Sequence, residues 1–168
     1  HMPMNALVSD DGVSNGLLSY LPTQNAQPHD WMMLTGGAIG QGMPLALGAA
    51  IAAPDRKVIC LSGDGAGMYT NQALWSMARE GADVTTIVFV NHSYRILNNE
   101  PHRTGAGNPG PTAKNMLSIG GPDIDWVQLS TSLGVPAVEA TTAEAFDKAL
   151  AEAIAAPGPR LIAAVVPG

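Results

Sequence analysis

Cysteine is nearly absent from this 168-residue chain, Cys60 being its only one. A lone thiol excludes an internal disulfide framework and any Cys-x-x-Cys redox or zinc pair. It stands in the apolar run Lys57-Val58-Ile59-Cys60-Leu61, where an inert core thiol is expected. Charge is also scarce: Asp, Glu, Lys and Arg make up 13% of the chain, about half the usual share. Eight Lys+Arg against 14 Asp+Glu leave a formal net charge of −6. Nucleic-acid binders and polybasic membrane anchors need clustered positive charge, so neither class fits. No apolar run is long enough to span a bilayer, and no basic segment leads into an apolar one as in a signal peptide. The expected compartment is the cytoplasm. His29, His92 and His102 show no H-E-x-x-H or Cys/His ligand spacing, which argues against zinc, and no G-x-S-x-G nucleophile elbow occurs.

What is present is apolar and rich in turns. Hydrophobic residues reach 46%, with 19 glycines and 13 prolines. That composition supports a sizeable core and excludes disorder, and the glycines follow no collagen period. The length fits one domain, taken as residues 4–168, because His1-Met2 reads as a tag remnant. The low charge further implies that part of the surface is covered by a partner.

Along the chain, residues 4–30 give a mixed pattern, with a helix expected over Val13–Leu21 and a loop over Pro22–Asp30. Strands are expected at Trp31–Leu34, Lys57–Ser62, Val84–Val90, Val135–Glu139 and Leu161–Val166. Helices are expected at Leu45–Ala53, Thr70–Glu80, Asp125–Leu133 and Thr141–Ala156, the last presenting Phe146, Leu150 and Ile154 on one face. Gly36–Gly42 and Gly63–Gly67 read as glycine turns. Asn98–Asp125, rich in Gly, Pro and Asn, reads as a long loop with a helical turn or two in Thr112–Ser118. Such a loop usually serves as a lid or binding segment; packing by Met116, Leu117 and Ile119 into a rigid loop is the alternative. Met32, Met68, Trp75 and Met77 lie in apolar segments and are expected in the core. Alternating strands and helices imply an α/β fold with a doubly wound, mostly parallel sheet and helices on both faces.

In such sheets ligands bind beyond the carboxyl ends of the strands. Three segments fall there: Gly36-Gly37-Ala38-Ile39-Gly40, Gly63-Asp64-Gly65-Ala66-Gly67 and Asn91-His92-Ser93-Tyr94. The second lacks the last glycine of G-x-G-x-x-G and the lysine of a Walker loop. Glycines let the backbone approach an anion, but Asp64 would repel a phosphate unless a cation stood between them. A divalent metal bridging carboxylate and diphosphate resolves this, and Mg²⁺, with its preference for oxygen ligands, fits best; taken alone, the segment also reads as a plain Gly-Asp-Gly surface turn. Asn91 lies 27 residues after Asp64, across one strand–helix–strand unit, which sets it on the neighbouring strand end.

Gly63-Asp64-Gly65 followed at this interval by Asn91 resembles the cofactor motif of the thiamine diphosphate-dependent decarboxylases and synthases. The turn Gly36-Gly37-Ala38-Ile39-Gly40-Gln41-Gly42-Met43-Pro44 also looks like theirs. The resemblance spans about residues 5–166. It points to the C-terminal, diphosphate-binding domain of proteins similar to acetolactate synthase large subunits, acetolactate-synthase-like proteins and benzoylformate decarboxylase. It implies thiamine diphosphate and Mg as cofactors, with Asp64 and Asn91 side-chain oxygens and the Ser93 carbonyl on the metal. Gly63 belongs to the cradle, and backbone N–H groups at Gly65, Ala66 and Tyr94 would hold the diphosphate. Beside Ala38, the Gly37 carbonyl would accept from the cofactor's exocyclic amine, and Ile39 would wedge the cofactor into a V. Where relatives carry Asn-Asn or Asn-Asn-Gly, this chain has Asn91-His92-Ser93, and His92 is expected to be a spacer or loop contact rather than a proton-transfer group.

The resemblance also implies what the chain lacks. The activating glutamate of the family comes from a separate pyrimidine-binding domain, and Glu80, Glu100, Glu139, Glu144 and Glu152 match no such context. The chain is therefore expected to be inactive alone, with no catalytic residue of its own. It would be an excised domain of an acetolactate synthase-like enzyme that decarboxylates and ligates 2-oxo acids. The alternatives are the small subunit of a split decarboxylase of the sulfo- or phosphonopyruvate type, or a non-catalytic regulatory module. Self-association, most simply as a dimer, is expected.

Overall fold

The computed structural model describes residues 1–167, apart from the side chains of Leu17 and His102; Gly168, the end of the expected domain, lies outside the described residues. Six strands form the centre: β1 (Ala6–Asp11), β2 (His29–Met33), β3 (Val58–Gly63), β4 (Val84–Val90), β5 (Ala137–Ala140) and β6 (Arg160–Val165). Every pairing is parallel, in the order β2-β1-β3-β4-β6-β5. The β-branched run Val84-Thr85-Thr86-Ile87-Val88 suits β4 because both of its faces are covered. The chain winds outward from β1 to β2 in one direction and from β3 to β4 in the other. The switch point, where a crevice opens at the strand ends, therefore lies between β1 and β3.

Eight helices complete the described chain: α1 (Gly16–Tyr20), α2 (Gly42–Ala52), α3 (Asp64–Thr70), α4 (Ala73–Glu80), α5 (Arg95–Arg103), α6 (Pro111–Met116), α7 (Trp126–Ser132) and α8 (Ala143–Ala155). On one face Met43 of α2, Leu74 and Met77 of α4 and Trp126 of α7 pack on Val58, Val84 and Val88. Leu74 is fully buried, so its truncation to alanine is expected to cost about 2–5 kcal/mol. On the other face Phe146, Leu150 and Ile154 of α8 cover Val8, Ile59, Leu61 and Ile87. Thr142 starts α8 by accepting the Ala145 N–H at 3.1 Å. Lys57 finishes it by donating to the Ala153 and Ala156 carbonyls, and also holds Asp83 at 2.7 Å. Asp125 accepts the Gln128 N–H at the start of α7, which holds its carboxyl below the ordinary carboxylate range. Cys60 is fully buried, and burial pushes its thiol pKa up, as expected of an inert core group.

Several expectations need correction. Residues 6–11 form a buried strand, β1, within the segment read as mixed. The expected helix over Val13–Leu21 shrinks to α1, followed by a 3-10 turn over Leu21–Asn25. Gly63–Gly67 is not a turn but the end of β3 and the opening of α3. Thr70–Glu80 is broken between α3 and α4, with Gly81 closing α4 at φ 62°. The expected loop Asn98–Asp125 contains most of α5, whereas α6 falls where a helical turn or two was expected. Met77 is buried as expected, but Met68 and Trp75 are exposed, the latter under the Arg79 guanidinium.

Candidate functional site at the switch point

A cavity of about 420 Å³ opens at the carboxyl ends of four neighbouring strands. It is walled by Gly12–Asn15 after β1, Ile39 after β2, Gly63–Ala66 after β3 and residues from Asn91 onward after β4. That volume lies in the range of small-molecule sites, about 300–1,000 Å³. All three segments singled out from the sequence reach it. The segment after β1 was missed, because Ser9-Asp10-Asp11 breaks the apolar pattern that would have marked the strand.

Asp64 is the first residue of α3, set there by the extended backbone of Gly63. It is buried at 3% exposure. Its Oδ1 accepts the Gly65 N–H at 2.8 Å, and its Oδ2 accepts the N–H groups of Asn91 at 3.0 Å and His92 at 2.7 Å. The carboxylate thus staples the end of β3 to the end of β4, and Asp64 and Asn91 stand on adjacent strand ends as the spacing implied. His92 has φ 54°, a left-handed backbone conformation uncommon outside glycine. Asn91 Oδ1 accepts the Ser93 N–H at 3.0 Å, and Asn98 donates to Ser93 Oγ at 2.7 Å. Three bonded backbone N–H groups use three of roughly four acceptor positions on a carboxylate, and one bond uses half of an amide oxygen's capacity. Acceptor positions therefore remain on both side chains.

The N–H groups expected to be free are not all so. Tyr94 donates its N–H to the Leu117 carbonyl at 2.9 Å, and that of Gly65 goes to its neighbour Asp64. A ligand at either would have to share or displace these partners. The 92–94 segment also receives the Ile119 N–H on the His92 carbonyl, and Ser93 and Ser118 form an antiparallel bridge. The long segment is thus tied to the candidate metal loop at residues 117–119. His92 Nδ1 lies 3.6 Å from an Asp123 carboxylate oxygen.

The glycine turn is built on conformation rather than space. Gly36 and Gly37 have φ 62° and 72° with open room around their Cβ positions. The Gly37 carbonyl accepts the Ile39 N–H at 2.9 Å, leaving one lone pair. Ala38 is exposed, and Ile39, 42% exposed, faces the cavity rather than packing in the core. Gly40 is the crowded member: its Cβ would lie 2.7 Å from that of Tyr69, and its carbonyl accepts from Thr70 Oγ1 at 2.7 Å. Among the described residues no glutamate lines the cavity, and no three His, Cys, Asp or Glu side chains gather as a metal site. No helix of the described residues is long and apolar enough to cross a membrane.

Residues 12–164 match the family described as "Thiamine pyrophosphate enzyme, C-terminal TPP binding domain". Among curated proteins, the chain is 51% identical over 167 residues to one from Mycobacterium tuberculosis H37Rv named "Putative acetolactate synthase large subunit IlvX", covering 99% of this chain and 32% of that protein. It is 31% identical to a benzoylformate decarboxylase of Pseudomonas aeruginosa, over 95% of this chain and 29% of that one. Among solved structures, a thiamine diphosphate-dependent 4-hydroxybenzoylformate decarboxylase of Rhodococcus jostii RHA1 superposes with a TM-score of 0.85 at 32% identity, over 98% of this chain and 30% of that one. The chain thus spans about a third of the length of these relatives.

Proposed function

The chain belongs to the thiamine pyrophosphate enzymes as their C-terminal cofactor-binding domain, and from that premise we propose that it holds thiamine diphosphate through Mg²⁺ in an acetolactate synthase-like enzyme of 2-oxo acids. The observation that carries this reading is the buried Asp64 carboxylate, which follows β3 and accepts the backbone N–H groups of Asn91 and His92 just past β4. The donor set fits the group. Carboxylate, amide oxygen and main-chain carbonyl are the hard oxygen ligands Mg²⁺ takes, with phosphate and water completing six. An anion beside Asp64 without such a cation would be repelled.

When bound, thiamine diphosphate supplies the electron sink for cleavage beside the carbonyl of a 2-oxo acid. The chain's own part is to hold and orient. Asp64, Asn91 and the Ser93 carbonyl would take the metal, and Gly63, Gly65 and Ala66 the diphosphate. Tyr94 would contribute its N–H once it leaves Leu117. The Gly37 carbonyl and the Ile39 side chain would set the heterocyclic end, with Ala38 between them.

The partner we propose is a pyrimidine-binding domain, from the same parent chain or a separate subunit, meeting the cavity mouth in a homo-oligomer. The exposed Ile39, Tyr69 and Met116 around the cavity support this, as apolar groups awaiting cover. Among the described residues no glutamate lines the cavity, in keeping with a division of the active site between two domains. Titration calorimetry tests the reading: thiamine diphosphate should bind with Mg²⁺ and not in EDTA, and Asp64→Ala should abolish binding. Metal-independent binding, or an Asp64→Ala variant that binds as before, would overturn it.

A further inference from the structure

One carboxylate of this chain is buried within reach of the cavity walls yet takes no part in the roles above. Asp11 ends β1 at 1% exposure and does not line the cavity. Its Oδ2 accepts the N–H of Gly40 at 2.7 Å and of Gly42 at 3.2 Å. These lie at the amino end of α2, where the helix dipole favours a negative charge. The neighbouring Ser9 donates its hydroxyl to the Gly42 carbonyl at 2.8 Å. The contact is close enough that a Cβ on Gly42 would stand 2.6 Å from that of Asp11. Oδ1 is buried with no hydrogen-bond partner among the described residues. The side-chain oxygens of Asp11 therefore hold only the turn. In register, Asp11 pairs with Ser62, two residues before Asp64, so one strand end ties the turn to the candidate metal loop.

We propose that Asp11 is a positioning residue of the site: it clamps the turn 36–42 through Gly40 and Gly42 and thereby sets the Gly37 carbonyl and Ile39 against the heterocyclic end of thiamine diphosphate, without touching it. This rests on the cofactor reading above. Groups that orient ligating residues from behind typically change affinity by about 10–100-fold when removed.

The test uses the 168-residue chain and two probes, thiamine diphosphate with Mg²⁺ and inorganic pyrophosphate with Mg²⁺. Asp11→Ala should weaken thiamine diphosphate at least about tenfold and leave pyrophosphate within about twofold, because only the heterocyclic end meets the turn. Asp11→Asn, which keeps a neutral acceptor, should restore most of the loss. Amide exchange at Gly40 and Gly42 should accelerate in Asp11→Ala and recover in Asp11→Asn. Asp64→Ala, by contrast, should weaken both probes. Equal weakening of both probes by Asp11→Ala, or of neither, overturns the proposal. If Asp11→Ala does not fold, Gly42→Ala, which pushes the clamp apart from the other side, must show the same split between probes or the proposal falls. A wild-type chain that binds pyrophosphate but gains nothing from the heterocycle overturns the assignment while sparing the metal site. A chain that binds neither probe removes the cofactor reading itself, and this assignment with it.

Discussion

Removing the Asp64 carboxylate should destabilise the chain before any cofactor is added. The side chain satisfies three backbone N–H groups, those of Gly65, Asn91 and His92. Gly65 is buried, whereas Asn91 is half-buried and His92 exposed. Bonds to a charged acceptor contribute about 1.5–3 kcal/mol each, but water can replace part of that at the two outer groups, so about 1 kcal/mol apiece is a fair working value. With about 2 kcal/mol for the buried Gly65 bond, Asp64→Ala should then cost about 4 kcal/mol of a stability that is about 5–15 kcal/mol in ordinary domains. For a chain of this length that lowers the melting temperature by about 8–16 °C. Urea unfolding followed by circular dichroism, with the slope m unchanged, measures it. Asn91→Ala, which frees only the Ser93 N–H, should cost about 1 kcal/mol. A loss below about 1 kcal/mol for Asp64→Ala would refute the view that this carboxylate staples β3 to β4.

Burial pushes the Asp11 carboxyl pKa up; the Gly42 and Gly40 N–H groups pull it down by less, and the neighbouring Asp10 raises it. A raised folded-state pKa contributes stability that is complete below the ordinary carboxylate value and lost as pH rises through the folded value. The stability of the wild type relative to Asp11→Asn should therefore fall across that window and level off above it; a pH-independent difference would contradict this. Purified chain given pyruvate, thiamine diphosphate and Mg²⁺ should show no steady decarboxylation, because no glutamate reaches the cavity among the described residues. In hydrogen exchange, residues 104–110, which join α5 to α6, should gain protection on cofactor binding, whereas 117–119 are already held by the 92–94 segment. Equal protection of 104–110 with and without bound cofactor would refute a closing lid.

The parts of the fold that were legible in the sequence are those whose cause is local. Val84–Val90 announces a covered strand through its β-branched residues, and Thr142 with Phe146, Leu150 and Ile154 announces α8. Asp64 and Asn91 were legible as a pair because a carboxylate among glycines has few explanations and the interval between them matches one strand–helix–strand unit. What stayed hidden depends on distant partners. Ser9, Asp10 and Asp11 look like the end of any apolar run, yet all are buried, where Gly42, Trp31 and Gly40, distant in sequence, bond to them. Gly65 and Gly67 read as turn formers, but they sit in α3 because a Cβ would strike the Tyr94 ring at 2.8 Å and the Trp126 ring at 2.7 Å. Here close packing, not conformation, demands glycine. Tyr94 could not be seen to spend its N–H on Leu117, since that bond depends on a segment whose helices α5 and α6 carry asparagine and proline and little local propensity.

A crystal structure of the chain grown with thiamine diphosphate and Mg²⁺ tests the central claim most directly. The account predicts one octahedral ion at about 2.1 Å from a carboxylate oxygen of Asp64, from Asn91 Oδ1 and from the Ser93 carbonyl, with two diphosphate oxygens on the same ion. Diphosphate bound away from the ends of β3 and β4, or a cation that neither Asp64 nor Asn91 touches, would contradict it.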